Sequence, residues 1–145
     1  MDTRAWIAAL VCALILGHGC GNANDTQRVA ASIRQVLGGK PPAPVSPEAW
    51  KDTQEFYVRR QHAPAWTMDD QVMREDAAVK LIDSARTHGL DPADYGEQDI
   101  IRLRALQTSE DAPERGSPER AQSLADADVR ITSALLTLGR NVAIG

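Results

Sequence analysis

The sequence has few of the residues on which most enzyme sites are built. Its only cysteines are Cys12 and Cys20, and its only histidines are His18, His62 and His88. None of them is spaced as a zinc or di-iron site requires. The sequence also contains no Gly-rich phosphate loop and no Gly-x-Ser-x-Gly nucleophile elbow. We therefore predict no metal, no cofactor and no cysteine nucleophile in the chain that follows its N-terminal segment.

The sequence also lacks an excess of basic residues and the alternation of apolar and polar residues that is typical of a β-strand. The formal net charge is -4, which provides no positive field for nucleic acid. No window alternates apolar and polar residues with the period of two that a half-buried strand needs. The 145 residues suffice for one small domain, and the hydrophobic fraction of 43% is typical of a globular protein. These features favour an all-α domain that does not bind nucleic acid.

The N-terminus differs in character from the rest. Residues 5–17, AWIAALVCALILG, form an uncharged apolar run, which is too short for a membrane span of about 20 residues. A run of this length is typical of a secretory signal, so we predict that residues 1–23 are a signal peptide. Two cleavage sites stay open. GHGC resembles a bacterial lipoprotein signal with lipid on Cys20, whereas GNA, residues 21–23, fits ordinary cleavage. Either reading predicts a periplasmic or envelope protein. The lipoprotein reading adds a lipid anchor at Cys20, which would be the expected membrane contact.

Residues 24–45 predict a short helix followed by a proline-rich linker. Asp25 is the expected N-cap, and Gly38 and Gly39 are expected to end the helix. KPPAP, residues 40–44, favours an extended conformation. We therefore expect this helix to be only loosely attached to the domain that follows.

Residues 46–145 predict the main domain, a small irregular bundle that brings the total to about four to five helices. Its first helix is marked by Ser46 as N-cap and Pro47 in the first turn. Apolar residues at helical spacing predict each helix of the bundle. The stripes are Ala49, Trp50, Thr53, Phe56 and Tyr57; Val72, Ala77, Ala78, Leu81, Ile82 and Ala85; Ile100, Ile101, Leu103 and Leu106; and Leu124, Ala127, Ile131, Leu135, Leu138 and Val142.

The stretch HGLDPADY, residues 88–95, predicts a corner between two helices. Gly89 suits the left-handed residue after a helix, and Leu90 is expected to cover the helix end. Asp91 and Pro92 are expected to cap and begin the next turn. Tyr95 is expected to place its ring in the core and its hydroxyl near a polar partner. Each residue then has a structural use, and we predict no catalysis at this corner.

Aromatic side chains are candidates for ligand binding. Tyr57, Trp66 and Tyr95 are the residues that would stack on a sugar or peptide, although their setting favours packing.

Paired carboxylates are the other candidates for chemistry. We expect Asp69, Asp70, Glu75 and Asp76 to lie at helix starts, where the helix dipole stabilises negative charge. We expect Asp126 and Asp128 to lie on a solvated helix face or to form an ion pair with a residue such as Arg130. Neither set lies in a motif specific for hydrolysis.

Three segments resemble the helical scaffold domain of large periplasmic L,D-transpeptidases. They are EFYVRRQHAPAW (55–66), LIDSARTHGLDPADY (81–95) and ADADVRITSALLTLGRNVAIG (125–145). The resemblance spans about residues 46–145, and its most specific part is the signature Gly89, Leu90, Asp91, Pro92 and Tyr95. It implies an all-helical, non-catalytic domain connected with peptidoglycan cross-linking. In that family a separate catalytic domain carries the nucleophilic cysteine and its histidine.

The resemblance leaves three functional hypotheses open. The first is a scaffold that supports or binds an L,D-transpeptidase catalytic domain, which would be its partner. The second is an independent adaptor that binds peptidoglycan directly. The third is a truncated product of a transpeptidase gene. A lytic or hydrolytic activity that uses the carboxylates is a further hypothesis, although no acidic residue lies in a motif specific for it. Transpeptidation by this chain is not expected, because it has no Ser-x-Gly-Cys motif.

Overall fold

A computed structural model describes residues 20–68, 71–72 and 75–144. Its elements, in chain order, are α1 (Cys20–Leu37), α2 (Pro47–Arg59), β1 (Thr67–Met68), β2 (Gln71–Val72), α3 (Glu75–Asp83), the 3-10 turns Ser84–His88 and Pro92–Tyr95, α4 (Glu97–Thr108) and α5 (Pro118–Ile144). Five α-helices carry nearly all of the structure that is described. The expected all-α class is therefore confirmed.

Helix α5 is the axis of the fold. It has 27 residues, which corresponds to about 40 Å of helix, and each of the other four α-helices packs against it. Between Leu124 and Ala134 it is buried on almost every side. On a helix surrounded in this way, the side chains on every face must be apolar or must find hydrogen-bond partners inside the protein, because no face contacts water.

The core consists of two clusters that share α5. One cluster combines Val29 and Ile33 of α1 and Trp50 and Tyr57 of α2 with the N-terminal half of α5. The other combines α3, α4 and the 3-10 turns with Ile131, Ala134 and Leu138 of α5. The two halves of the domain are thus held together by one continuous helix.

Helix α1 belongs to the core, so the expectation of a loosely attached first helix is wrong. Ile33 is fully buried and packs with Val29 and Leu37 against α2 and α5. In addition, the Gln54 amide donates to the Leu37 carbonyl oxygen at 2.8 Å. Helix α1 is described from Cys20 onward, so Asp25 lies inside it and is not its N-cap. The expected end is confirmed, because the helix stops directly before Gly38.

A short antiparallel hairpin interrupts the helices. Thr67 pairs with Val72 and Met68 with Gln71. Val72 was expected in the helix that actually begins at Glu75, and that expectation is wrong. Two-residue strands are too short to produce a detectable alternation in sequence. Asp69 and Asp70, expected at a helix start, lie outside the described residues.

Candidate functional site

A buried carboxylate on α5 forms the most highly connected polar group of the described structure. Asp128 has a relative exposure of 0%. One of its oxygens, Oδ1, accepts from the Tyr57 hydroxyl at 2.6 Å and from the Ala65 amide at 2.9 Å. The other, Oδ2, accepts from the amides of Trp66 at 2.8 Å and Thr67 at 2.9 Å. Four donors satisfy both oxygens, which is the condition for burying a carboxylate without prohibitive cost.

Thr132 extends this network by one helical turn. Its hydroxyl lies 2.7 Å from the Tyr57 hydroxyl and accepts from the Trp66 indole N–H at 3.0 Å. Burial, and then the neighbouring Asp128 carboxylate, raise the pKa of Tyr57 well above its ordinary value. The Tyr57 hydroxyl therefore keeps its proton and acts as a donor to Asp128.

The network fixes the chain segment that leaves α2. After Arg59 the backbone passes through Gln61 and His62 with positive φ angles of 55° and 62°, which is costly for residues other than glycine. This turn brings the amides of residues 65–67 to the Asp128 carboxylate. Such backbone strain persists only where surrounding contacts determine it, and the Asp128 bonds provide them.

Asp128 does not lie on a solvated face, and Arg130 is not its partner. Arg130 instead lies 3.7 Å from Asp99. Sequence spacing contained a signal that was missed, because Asp128 lies four residues after Leu124 and three before Ile131. It therefore occupies the buried stripe of its helix. Its neighbour Asp126 is only half-buried, and burial raises the pKa of Asp126.

The three candidate stacking residues do not share a surface. Tyr57 is fully buried in the first cluster, and Tyr95 is buried in the second. Trp66 is half-buried, and its indole N–H is bonded to Thr132. The rings of Tyr57 and Tyr95 thus act in packing, and no described groove presents the three rings together.

The corner at residues 88–95 has the predicted geometry. Gly89 has φ 73° and closes the preceding turn, and the Leu90 amide bonds to the Ala85 carbonyl oxygen at 3.1 Å. The Asp91 carboxylate accepts from the Ala93 amide at 3.0 Å, and Pro92 holds the first position of the next turn.

The tyrosine of the corner has its predicted position as well. Its ring is buried, and the Tyr95 hydroxyl accepts from the Asn141 amide at 3.0 Å. The corner is therefore tied to the last helix of the domain.

The remaining carboxylates form no catalytic pair among the described residues. Asp76, in the first turn of α3, accepts from Arg104 of α4 at 2.6 Å and joins the two helices. Within the described ranges, no three histidine, cysteine or acidic residues come together as a metal site would require. No described helix combines the length and hydropathy needed to cross a bilayer.

The chain was compared with known protein families. A family model described as Scaffold domain matches residues 51–145, which is more than half of the chain. The chain belongs to the Scaffold domain family. This result is consistent with the resemblance to the L,D-transpeptidase scaffold domain. No curated protein and no solved structure was found to match the chain.

The Scaffold domain of this chain rests partly on a helix outside the matched region. Helix α1 ends at Leu37, before residue 51, yet it supplies Val29 and Ile33 to the core of the matched helices. The folding unit is therefore larger than the family match, and α1 has to be kept in any version of the protein that is studied.

The surface of the Scaffold domain includes an apolar groove between α3 and the C-terminal half of α5. Leu81 and His88 line one side, and Leu135, Leu138 and Val142 line the other. Its volume is about 300 Å³. Leu81 is 53% exposed and Val142 is 39% exposed, so large apolar side chains face solvent on both sides. Convergence of such residues is typical of surfaces that bind another protein.

Proposed function

We propose that this Scaffold domain supports an L,D-transpeptidase catalytic domain in the bacterial envelope and takes part in peptidoglycan cross-linking without catalysing a reaction itself. The family match supports the scaffold role. The transpeptidase connection rests on the resemblance of the three sequence segments. The observation that carries the proposal at the structural level is the apolar groove between α3 and α5.

The polar core of the domain is consistent with a non-catalytic role. A general acid, base or nucleophile needs a group that can reach a substrate. The Tyr57 hydroxyl and the Asp128 carboxylate are buried and bonded to each other and to backbone amides. These groups stabilise the fold, and opening them to a substrate would break four hydrogen bonds to Asp128.

The groove provides a suitable contact for a partner domain. Its apolar residues come from two elements that the second core cluster holds rigidly, since Ile82 of α3 and Leu138 of α5 are buried in that cluster. A preformed surface of this kind binds with little loss of conformational entropy. The partner we propose is the catalytic domain that carries the Ser-x-Gly-Cys motif.

The proposed docking is tested with purified proteins. The full chain is immobilised and exposed to a purified L,D-transpeptidase catalytic domain, and retention is compared for wild type, Leu81→Glu and Val142→Glu. Both substitutions place a charge in the groove at an exposed position and should abolish retention. Val58→Glu is the matched control, because Val58 is 61% exposed on α2 and lies outside the groove. Equal retention by all four proteins, or none by wild type, would refute the proposal.

Direct binding to the cell wall is tested in the same series of experiments. Wild-type protein is mixed with purified sacculi and centrifuged. The proposed function predicts that the protein stays in solution unless the catalytic domain is added. Pelleting by the protein alone would favour the adaptor hypothesis instead.

Envelope localisation is part of the proposal and rests on the sequence of residues 1–23. Mass spectrometry of the protein from cell fractions measures the processed N-terminus directly. A diacylglyceryl modification on Cys20 would identify a lipoprotein, whereas an unmodified N-terminus at Asn24 would identify an unanchored periplasmic protein. An uncleaved cytoplasmic chain would contradict both.

A further inference from the structure

The groove between α3 and α5 is a trough with helical walls. One wall consists of Leu81 of α3 and of Ser84 and His88 of the following 3-10 turn, and the other consists of residues within 135–143 of α5. The backbone amides and carbonyls of these walls bond along their own helix, apart from the carbonyls of the last turn of α5. The groove therefore offers side chains to a partner, and no continuous row of free backbone groups.

The helical walls limit the shape of chain that the groove can receive. Extended, polyproline and α-helical segments are each recognised by a different kind of surface. An added strand pairs with the free backbone groups of a sheet edge, which helical walls do not have. A polyproline helix binds an aromatic-lined groove, and none of the described lining residues is aromatic. An α-helix binds an apolar trough, which is what the groove provides.

The length of the groove also fits a helix. Between Leu135 and Ala143 the lining of α5 extends for about 12 Å, at a rise of about 1.5 Å per residue. Apolar side chains at positions i, i+4 and i+7 of a bound helix span about 10 Å. A helical segment of about two turns would therefore place its anchors along the full length of the groove.

Small residues leave room for such a helix to approach α5 closely. Gly139 and Ala143 lie one helical turn apart in the groove, and Gly139 is exposed. A Cβ added at Gly139 would meet nothing within 4 Å, so the space above this part of the helix is open. Leu135 and Val142 line the groove before and after Gly139. The side-chain ridges of a second helix pack into gaps of this kind between the ridges of the first.

The charge of the lining restricts the face that can be bound. Among the described lining residues, His88 alone is ionisable. A charged side chain pressed into the rest of the groove would lose its water without gaining a partner of opposite charge. The face that enters the groove must therefore be free of charged residues, except at a position that meets His88.

We infer that the groove receives a single surface α-helix of the catalytic domain. This helix lays an uncharged apolar face of about two turns along α5 and comes closest to the backbone at Gly139. Leu81 and Leu135 then contact opposite sides of the same helix. The inference rests on the proposed function, because that function makes the catalytic domain the partner.

Filling the open space at Gly139 tests the close approach. The full chain is immobilised, and its affinity for the purified catalytic domain is measured for wild type and Gly139→Leu. The new side chain has open space in the free domain, so the fold should be kept, whereas the bound helix would be overpacked and the affinity should fall by about tenfold or more. Ala105→Leu is the matched control, because Ala105 is exposed on α4 and lies outside the groove. Melting temperatures of both variants check that the fold is kept.

Cross-linking tests the shape of the bound segment. The full chain is made with photoreactive leucine, mixed with the unlabelled catalytic domain and irradiated, and mass spectrometry locates the residues that are cross-linked. Cross-links from Leu81 and Leu135 should fall in one segment of the catalytic domain, at spacings of three, four or seven residues. Cross-linked residues that alternate two apart, or that are scattered over separate segments, would overturn the inference.

Failure of the helix and failure of the proposed function give different results. No binding of the catalytic domain by wild type would refute the proposed function, and the helix in the groove with it. Binding that is lost in Leu81→Glu but is as tight in Gly139→Leu as in wild type would leave the proposed function standing and would overturn the helix alone.

Discussion

Replacing Asp128 by asparagine tests the structural centre of the domain. The substitution keeps the size and shape of the side chain but converts one carboxylate oxygen into an N–H donor. Oδ1 accepts from Tyr57 and Ala65, and Oδ2 accepts from Trp66 and Thr67. If the nitrogen takes the place of Oδ2, the amides of Trp66 and Thr67 both lose their acceptor. If it takes the place of Oδ1, the Ala65 amide loses its acceptor, whereas the Tyr57 hydroxyl can turn and accept.

The expected cost follows from the number of bonds that are broken. A hydrogen bond to a charged group contributes about 1.5–3 kcal/mol, so the loss of one or two predicts a decrease of about 2–6 kcal/mol in the free energy of unfolding. That is a large part of the total stability of about 5–15 kcal/mol that is usual for a domain. The melting temperature should fall by on the order of 15 °C.

Urea denaturation followed by circular dichroism at neutral pH measures this cost. Asp126→Asn is the matched control on the same helix, because Asp126 is half-buried and accepts a single long hydrogen bond from the described residues, from Gln122 at 3.4 Å. Burial raises the pKa of Asp126, so folding disfavours its ionised form and the control should be neutral or slightly stabilising. That small gain should disappear as the pH falls through the raised pKa. If Asp128→Asn cost no more than Asp126→Asn, the reasoning would be refuted.

Three further changes test other parts of the fold. Gly89→Ala should lower the free energy of unfolding by about 1 kcal/mol, because the new Cβ meets no neighbour but the φ of 73° is strained for alanine. Gly139→Ala lies inside α5 with equal space and should instead raise the free energy of unfolding by up to about 1 kcal/mol. A change of the same sign for both variants would contradict the geometry. Ser46→Ala removes the cap on the Ala49 amide and should cost about 1 kcal/mol by thermal unfolding, whereas no loss would show that the cap is not used. The raised pKa of Tyr57 gives stability that is complete below its ordinary pKa of 10.0 and is lost as the pH rises above it. The free energy of unfolding should therefore fall less steeply with rising pH in Tyr57→Phe than in wild type. Equal slopes for the two proteins in alkaline urea titrations would argue against this role of Tyr57.

Features that depend on local rules could be predicted from the sequence. The start of α2 follows from Ser46 and Pro47, because capping and the proline ring act within a single turn. The corner follows from Gly89 and Asp91 for the same reason. The helices themselves follow from apolar spacing, which depends only on the helical period.

Features that depend on distant partners could not be predicted in this way. Asp128 bonds to groups that are 61 to 71 residues away along the chain, so its burial requires knowledge of how α2 and α5 pack. The positive φ angles at Gln61 and His62 depend on those same bonds. The packing of α1 was missed because the proline-rich segment after it suggested independence, whereas its apolar face is buried against α2 and α5.

The groove between α3 and α5 could be located only in part. Sequence placed Leu135, Leu138 and Val142 on one stripe of the last helix and Leu81 on another helix. That these stripes meet at the surface depends on the crossing of α3 and α5, which the sequence does not specify.

Hydrogen exchange in the presence of a purified L,D-transpeptidase catalytic domain tests the scaffold account most directly. The amides of α3 and the C-terminal half of α5 flank the groove and should gain protection when the catalytic domain is added. Protection of α1 should stay the same, because that helix lies in the other core cluster. Unchanged exchange throughout the chain, or protection only at elements outside the groove, would contradict the account.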